Sequence, residues 1–335
     1  MTSSDEAAEL PPLDRGRGLA LLAAAQDVHL VVLGDVMLDH FMVGRVSRVS
    51  PEAPVPIVEF EREFRVPGGA ANVAANARAL GARVTLIGVV GDDEAAPAVR
   101  GLLEARGIAA STLITDPSRP TTRKTRLATT RNQQVARVDV EHVGDVDDRI
   151  ETALADALDA AAGSARALVV SDYLKGVVTA RVMTRAVATA QRLNVPLLVD
   201  PKVPHIGRYA GATLLTPNHH EAEAASAVRI RTAADARRAA RTLAEQARVD
   251  GVLITWGEHG LWLSYGAVEG YLPAAAREVA DVTGAGDTVA ATMGVALAAG
   301  ATPAEAARLA NEAAGVVVTR FGTAVVTAAE LRARL

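Results

Sequence analysis

The chain has 335 residues, a formal net charge of -4 and hydrophobic side chains at half of its positions. This length is sufficient to bury a large core, either in one α/β domain or in two smaller ones. The slightly acidic composition provides no basic face for a nucleic acid, so we expect no nucleic-acid partner. The sequence contains no cysteine, which excludes disulfides and thiolate chemistry.

The first residues, MTSSDEAAELPPLDRGRG, are acidic and interrupted by proline and glycine. They predict a flexible tail over residues 1–25. The apolar stretch LALLAAA that follows resembles the core of a signal peptide, but acidic residues precede it and it is short for that role. No apolar run reaches the roughly 18 residues that a membrane span needs. We therefore expect a cytoplasmic protein with no membrane partner.

The first strand signal is HLVVLGDVMLD, an apolar run that carries carboxylates to the edge of a sheet. PGGAANVAANARALGA then predicts a glycine turn that opens a helix. RVTLIGVVG predicts a second buried strand, and a helix is expected from about residue 93 to 107. Two segments, at about residues 41–66 and 119–140, carry prolines or alternating polar and apolar residues. They do not fit a buried sheet, and they predict a small β-sheet lid.

The second half of the chain alternates short apolar runs with helix-compatible stretches. Strands are predicted for ALVVSDYL, PLLVDPK, ATLLTPN, GVLITWG and GLWLSYG, and helices for TARVMTRAVATAQRL, AADARRAARTLAEQA and two C-terminal stretches. Strands that alternate with helices form a mostly parallel sheet covered on both faces. The predicted fold class is therefore α/β, in one domain over residues 26–335 that carries the lid.

Polar residues and glycines follow most of these apolar runs. Because ligands of α/β sheets bind outside the carboxyl ends of the strands, this pattern indicates a site at that edge. A single aspartate in such a place is more often a helix cap or a turn residue. The residues concerned are Asp35, Asp39, Asp172, Lys175, Asp200, Lys202, Asn218, Glu221 and Gly257.

The segment DVTGAGDT, residues 281–288, precedes an apolar, helix-compatible stretch. Its glycines lack Cβ atoms and let the backbone approach a ligand, and the free N–H groups at a helix start favour an anion. Asp287 could then act as a general base beside that anion, or it could simply cap the helix. The chain has no GxxxxGK[ST] motif, and GAGDTV lacks the third glycine of the dinucleotide fingerprint. His219 and His220 do not have the spacing of a zinc site.

A second glycine turn, PGGAANVA at residues 67–74, also has two interpretations. Gly68 and Gly69 would let the backbone approach a ligand, and the amide of Asn72, one turn into the helix, could meet a sugar hydroxyl. Alternatively, the segment is only a packed helix start. Glycine spacing alone does not decide between the two.

Three motifs in this order, PGGAANVA, TPNHHE and DVTGAGDT, resemble those of the ribokinase-type (PfkB) carbohydrate kinases. GDVMLD, SRVSPEAPVPIV, RNQQVARVD, SDYLKG and VDPK further resemble the branch of that family that phosphorylates D-glycero-β-D-manno-heptose 7-phosphate, over about residues 28–330. The resemblance implies a ribokinase-like three-layer core. It also implies transfer of the ATP γ-phosphoryl group to the C1 hydroxyl of the heptose, in ADP-heptose synthesis for lipopolysaccharide. A Mg²⁺ ion, a monovalent cation such as K⁺ and a homodimer formed through the lid are further expectations from it.

The resemblance implies roles for individual residues of the DVTGAGDT segment. Asp287 would be the base that takes the proton of the sugar hydroxyl. The N–H groups of Gly284, Ala285 and Gly286 would hold the transferring phosphoryl group. Asp281 and Thr283 would border the monovalent cation.

Other roles implied by the resemblance lie elsewhere in the chain. Sugar contacts are expected from Asp39, Gly68, Gly69, Asn72, Lys175 and Lys202. The two lysines are favoured for the phosphate at C7, for which Arg48, Arg123, Arg131 and Arg137 are further candidates. ATP contacts are expected from Asn218, Glu221, Thr255, Gly257 and Asn311. Glu221 would organise Mg²⁺ through water.

Two alternatives remain open at the level of the sequence. One is a kinase for another sugar or sugar phosphate, and the other is a regulator that binds a sugar phosphate without catalysis. The presence of Asp287, Asn218 and Glu221 favours an enzyme, because a pure binder needs no base. Some members of the heptose branch are fused to a C-terminal nucleotidylyltransferase, and a chain that ends at Leu335 is expected to be the kinase alone.

Overall fold

The computed structural model describes residues 8–276 and 278–335. Within this part of the chain, nine strands form the main sheet: β1 (His29–Gly34), β4 (Arg83–Val90), β5 (Leu113–Thr115), β8 (Ala167–Ser171), β9 (Leu197–Asp200), β10 (Leu214–Leu215), β11 (Gly251–Thr255), β12 (Leu261–Tyr265) and β13 (Val268–Leu272). Their order is β13-β12-β11-β10-β9-β8-β1-β4-β5. Only the β11-β12 and β12-β13 pairs among these are antiparallel, so the prediction of a mostly parallel sheet is confirmed.

Helices cover both faces of this sheet and complete the three-layer core. One face carries α1 (Arg15–Ala24), α2 (Ala70–Ala79), α3 (Ala95–Glu104), α8 (Ala285–Ala298), α9 (Pro303–Val317) and α10 (Ala328–Arg334). The other face carries α4 (Asp148–Ala162), α5 (Ala180–Leu193), α6 (His219–Ser226) and α7 (Ala233–Ala247). In the described ranges, no helix has both the length and the apolar character that a membrane crossing requires.

Strand β1 illustrates why the central strands are apolar throughout. Leu30 and Val32 pack into the core on the α2–α8 face, whereas Val31 and Leu33 pack into the core on the α4–α7 face. Successive side chains of a strand point to opposite faces, and both faces of this sheet are covered by helices. A polar residue can therefore enter only where the strand ends, which is where the sequence places Asp35.

The lid is a second sheet of four strands, which confirms the predicted small β-sheet. Its strands are β2 (Val36–Val49), β3 (Pro56–Gly69), β6 (Thr122–Thr129) and β7 (Gln134–Val140), in the order β3-β2-β6-β7. The β2-β3 and β6-β7 pairs are antiparallel, and β2 and β6 are parallel. Strand β2 begins directly after Asp35, and Met37 pairs with Gly68. The lid therefore grows out of the edge where the parallel strands end.

The N-terminal segment differs from the prediction of a flexible tail over residues 1–25. Residues 15–24 form α1, whose N-cap Asp14 accepts a hydrogen bond from the backbone N–H of Arg17 at 2.8 Å. The Arg17 side chain donates to Glu305 at 2.9 Å, and Leu10 and Leu21 are buried in the core. The tail prediction is wrong here because the Pro–Pro pair precedes the helix and does not interrupt it. Residues 1–7 of the predicted tail lie outside the described residues.

Candidate active site

The loop after β8 is held at the carboxyl edge of the sheet by Asp35. Its carboxylate accepts hydrogen bonds from the backbone N–H groups of Tyr173 (2.7 Å), Lys175 (3.0 Å) and Val177 (3.1 Å). Burial raises the pKa of Asp35 to about 6, and the neighbouring Asp172 adds to the rise. Asp35 thus organises a loop that projects Tyr173 and Lys175 towards the site.

Helix α8 opens with the predicted glycine turn. Gly284 is its N-cap, with a φ of 80°, and a Cβ atom there would lie 2.7 Å from Nδ2 of Asn72. A Cβ at Gly286 would meet no protein atom within 4 Å, so the space in front of the helix start is open. The N–H of Ala285 donates to the carbonyl of Val282 at 3.1 Å, whereas those of Gly284 and Gly286 meet no backbone acceptor among the described residues. These two N–H groups and the partial positive charge of the helix end favour an anion in that space.

Asp287 lies in the first turn of α8 and is only 3% exposed. Because Gly284 is the N-cap, the interpretation of Asp287 as the helix cap is wrong. Its Oδ2 accepts a hydrogen bond from Nδ2 of Asn72 at 2.8 Å, and its Oδ1 accepts one from the hydroxyl of Tyr173 at 2.8 Å. Burial raises the pKa of Asp287 to about 6, against these two hydrogen bonds. A base with a pKa near neutrality is ionised at physiological pH and still accepts a proton readily.

Asn72 connects α2 to α8. Its Nδ2 donates to Asp287, and its Oδ1 accepts from Nδ2 of Asn76 at 3.2 Å. Asn76 in turn accepts a hydrogen bond from the hydroxyl of Thr288 at 3.0 Å. Asn72 therefore orients the carboxylate of Asp287, and its contact with a sugar stays a prediction.

The PGGAANVA turn lies against Asp39. A Cβ at Gly68 would approach Oδ2 of Asp39 to 2.5 Å, and Gly69 has a φ of 56° and would bring its Cβ within 2.5 Å of the carbonyl oxygen of Asp35. Both glycines are thus required by the protein's own packing, whatever they also bind. The Asp39 carboxylate is buried and paired with Arg126 of the lid. Burial raises the pKa of Asp39, and Arg126 opposes that rise.

The two predicted lysines lie in different environments. Nζ of Lys175 is 2.9 Å from Oε1 of Glu141, at the end of the lid. Lys202 forms an ion pair with Glu221 and lies over the ring of Tyr173, with 5.0 Å between Nζ and the ring centroid. Lys202 is therefore next to a residue predicted for the nucleotide, whereas Lys175 faces the lid. Their contacts with a sugar phosphate stay predictions.

Asn218 and Glu221 form the start of α6. Oδ1 of Asn218 accepts from the backbone N–H of Glu221, and Oε2 of Glu221 accepts from the backbone N–H of Asn218, each at 3.0 Å. This capping box satisfies two helix-start donors and fixes both side chains. The remaining oxygen of Glu221, Oε1, faces Lys202.

Asp200 is a further carboxylate at this place, at the end of β9. It is buried, and burial raises its pKa to about 8, while the nearby Lys202 opposes the rise. Asp200 and Glu221 supply the oxygen ligands that Mg²⁺ prefers, and a bound divalent cation would keep Asp200 ionised. No group of three or more metal-ligating side chains is found in residues 8–276 and 278–335. Mg²⁺ usually takes one or two carboxylates plus phosphates and water, so the residues fit this ion.

The other predicted nucleotide residues border the same edge. Thr255 ends β11 and its N–H donates to the carbonyl of Pro217 at 2.9 Å, which joins it to the Asn218 loop. Gly257 has a φ of 56°, and a Cβ there would meet no protein atom. Asn311 on α9 donates to the carbonyl of Pro273 at 2.8 Å.

The residues predicted for a monovalent cation hold the α8 loop in place. Oδ1 of Asp281 accepts from the N–H (2.9 Å) and the hydroxyl (2.7 Å) of Thr283. Oδ2 of Asp281 accepts from the N–H of Gly322 at 2.9 Å. The side chain of Asp281 thus ties this loop to the segment near Gly322, and cation binding there stays a prediction.

Sequence reasoning missed the roles of three residues that the structure brings into the site. Tyr173 contacts the candidate base, Arg126 pairs with Asp39, and Asp200 lies beside Lys202 and Glu221. Asp200 carried a signal, because it ends an apolar run and precedes Pro-Lys. Arg126 is one of several arginines in the polar lid segments, and nothing in the SDYLKG segment links Tyr173 to Asp287, so only the tertiary contacts identify these two residues.

Comparison with known proteins assigns the family. The sequence profile of the pfkB family carbohydrate kinases matches residues 28–329. The chain belongs to the pfkB family. This confirms the family resemblance of the three motifs, and it agrees with the convergence of Asp287, the glycine turns and the Asn218–Glu221 pair at one edge of the sheet.

Two curated relatives extend the match. The chain is 48% identical over 318 residues to the "Bifunctional protein HldE" of Azorhizobium caulinodans, and 44% identical over 321 residues to the protein of the same name from Geobacter sulfurreducens. These alignments cover 94% and 95% of this chain. They cover 66% and 65% of the relatives, so the chain spans less than two thirds of their length.

Solved structures confirm the ribokinase-like fold. Phosphofructokinase-2 from Escherichia coli, in complex with substrates and products, superposes with a TM-score of 0.76 at 18% identity and covers 91% of this chain and 97% of that one. Ribokinase from Arabidopsis thaliana, complexed with ribose and ATP, superposes with a TM-score of 0.70 at 18% identity, over 92% and 98% of the two chains. At such identities the likeness concerns the fold alone.

The two glycines at the start of α8 should respond differently to the same substitution. We expect Gly286→Ala to leave thermal stability unchanged, because its Cβ enters open space, but to lower phosphoryl transfer by about 10²-fold or more by crowding the anion position. Gly284→Ala should instead lower the free energy of unfolding by roughly 1–3 kcal/mol, because of its positive φ and the contact with Asn72. Thermal melts and ADP release measure both. Loss of folding in Gly286→Ala would contradict the proposal that the open space beside Gly286 is kept for a ligand.

Proposed function

We propose that this protein transfers the γ-phosphoryl group of ATP to the C1 hydroxyl of D-glycero-β-D-manno-heptose 7-phosphate, giving the 1,7-bisphosphate for ADP-heptose synthesis. The observation that carries the proposal is the buried carboxylate of Asp287 beside the open start of α8. The sequence motifs and the 48% identity to the Azorhizobium relative support the choice of sugar.

The bond changes follow from these positions. The C1 oxygen bonds to the γ-phosphorus while the bond from that phosphorus to the bridging oxygen of ADP breaks, and the hydroxyl proton passes to Asp287. The N–H groups of Gly284 and Gly286 stabilise the charge on the transferring group, while that of Ala285 donates to Val282. When bound, Mg²⁺ neutralises charge on the phosphate oxygens, and Asp200 and Glu221 would hold it.

The phosphate at C7 requires a cationic partner, and we propose Lys175 for this role. Its side chain is largely buried at the edge of the lid, next to Glu141. Lys124 lies 3.6 Å from the same carboxylate and 3.4 Å from that of Asp139, which also pairs with Arg137, so three cations share two carboxylates. This excess of positive charge around Lys175 suits a phosphate, whereas Arg123 is paired one-to-one with the exposed Glu94.

The substrate assignment is tested by ADP release with three acceptors. Heptose 7-phosphate should support turnover, whereas fructose 6-phosphate and ribose should support little or none. Turnover with only fructose 6-phosphate or only ribose would show that the proposed sugar is wrong and that the protein is still a sugar kinase. ATP binding without turnover on any acceptor would favour a sugar-phosphate-binding regulator.

Asp287→Asn tests the base. Turnover should fall by at least about 10²-fold while ATP binding is kept, because the amide cannot accept the proton of the acceptor. Asp156→Asn, on an exposed position of α4, makes the same chemical change away from the site and should leave turnover unchanged. Near-normal turnover of Asp287→Asn would contradict the assignment of Asp287 as the general base.

We further propose a homodimer formed through the lid. Phe60 pairs with Gly44 and Val58 pairs with Val46 across the β2-β3 ribbon, which places Phe60, Val58 and Val46 on one face. Phe60 is 60% exposed and Val46 39% exposed, which is unusual for a large apolar pair on neighbouring strands. A second copy of the same face would cover them.

Sedimentation velocity tests the dimer. We expect the mass of two chains for the parent and of one chain for Phe60→Asp, because a charge on the apolar face is costly to bury. Val268→Asp, on β13 at the far edge of the main sheet, is the matched control and should remain dimeric. A parent that sediments as one chain would refute the proposed dimer.

A further inference from the structure

Tyr173 contacts the candidate base directly. Its hydroxyl donates to Oδ1 of Asp287 at 2.8 Å, while Asn72 donates to Oδ2 at the same distance. Each oxygen of the carboxylate therefore has one donor from the protein. A carboxylate oxygen has a second lone pair, so Oδ1 can still accept the proton of an acceptor alcohol.

The loop that carries Tyr173 is held rigidly. Asp35 accepts from the backbone N–H groups of Tyr173 and Lys175, and Asp172 accepts from that of Leu174 at 2.8 Å. Leu174 has a φ of 58°, a conformation that costs free energy for a residue with a side chain and persists only when the surroundings impose it. Arg119 adds a hydrogen bond to the carbonyl of Lys175 at 2.9 Å.

This rigidity decides where the hydroxyl of Tyr173 points. The tyrosine ring is confined on its other side by Lys202, whose Nζ lies 5.0 Å from the ring centroid. Because both the loop and the ring are held in place, the hydroxyl of Tyr173 is a hydrogen-bond donor with a fixed position. Such a donor keeps the carboxylate of Asp287 in one orientation.

The charges that face Asp287 come from several elements. Asp39 of the lid disfavours its ionised form, and Lys202 after β9 favours it. The carboxyl of Asp200 is also close enough to interact with Asp287. In addition to these charges, the hydrogen bonds from Asn72 and Tyr173 contact Asp287 directly and stabilise its ionised form.

We propose that Tyr173 is a positioning residue for phosphoryl transfer, whose hydroxyl holds the carboxylate of Asp287 ionised and oriented towards the acceptor alcohol. The inference rests on the proposed function, in which Asp287 is the base. This role gives the SDYLKG segment a task other than binding sugar. Asp35 fixes the backbone of the segment, and the side chain of Tyr173 orients Asp287.

The test is the pH dependence of kcat/KM in Tyr173→Phe. Removing a hydrogen bond to the ionised carboxylate raises the pKa of Asp287, so the acidic limb of the profile should move to higher pH by about one unit. The variant should then be about fivefold slower than the parent near pH 6, approach a tenfold difference at lower pH, and recover most of that loss by pH 9. The ionisation of the substrates is common to both proteins and cancels in the comparison.

Tyr265→Phe is the matched control. Tyr265 is half-buried at the end of β12, and its hydroxyl makes no hydrogen bond to the described residues. Its profile should coincide with that of the parent. If Tyr173→Phe loses activity equally at every pH, or melts at a much lower temperature, Tyr173 only packs the site and the proposal is overturned.

A second measurement keeps this inference separate from the kinase assignment. In protein with ¹³C-labelled aspartate carboxyls, the Asp287 signal is identified by its loss in Asp287→Asn and followed by NMR against pH. Its midpoint should lie higher in Tyr173→Phe than in the parent. If no sugar supports turnover, the proposed function fails while this midpoint still decides the role of Tyr173. An unchanged midpoint would refute it.

Discussion

The site depends on keeping one carboxylate charged inside the protein. A pKa of about 6 for Asp287 means that its surroundings disfavour the ionised form by roughly 3 kcal/mol relative to water. Each hydrogen bond to a charged group stabilises it by about 1.5–3 kcal/mol. The donors on Asn72 and Tyr173 therefore keep Asp287 from being protonated at neutral pH. Helix α2, the loop after β8 and the start of α8 must therefore meet at this one side chain.

The same constraint explains some of the glycines around the base. At Gly68 and Gly284 a Cβ atom would collide with Asp39 and Asn72, so these positions secure the close approach of elements around the base. At Gly286 and Gly257 a Cβ would enter empty space. The φ of 56° at Gly257 itself favours glycine, so only at Gly286 does the protein's own structure give no reason for one. The sequence alone treats all four as equivalent loop glycines.

The sequence predicts those features that are set by local pattern. Apolar runs such as that of β1 identify the buried strands because both faces of the sheet are covered, and polar residues can appear only at the strand ends. Helix α4, which is missing from the predicted elements, also carries a local signal, since Ile150, Leu154 and Leu158 recur at helical spacing behind the N-cap Asp147. Tyr173 could not be predicted, because its role arises from a contact across 114 positions of the chain.

Three cations of the site are paired before any substrate binds. Lys175 pairs with Glu141, Lys202 with Glu221 and Arg126 with Asp39, and each pair is at least partly withdrawn from water. An unpaired ammonium in such a place would lose hydration without compensation, so the carboxylates keep these side chains charged and in position. An arriving phosphate would then share or exchange a partner, which limits the free energy gained from charge alone. If the acceptor is a sugar phosphate, as proposed above, discrimination among such sugars has to come from the fixed spacing between these cations and Asp287, and not from the number of positive charges.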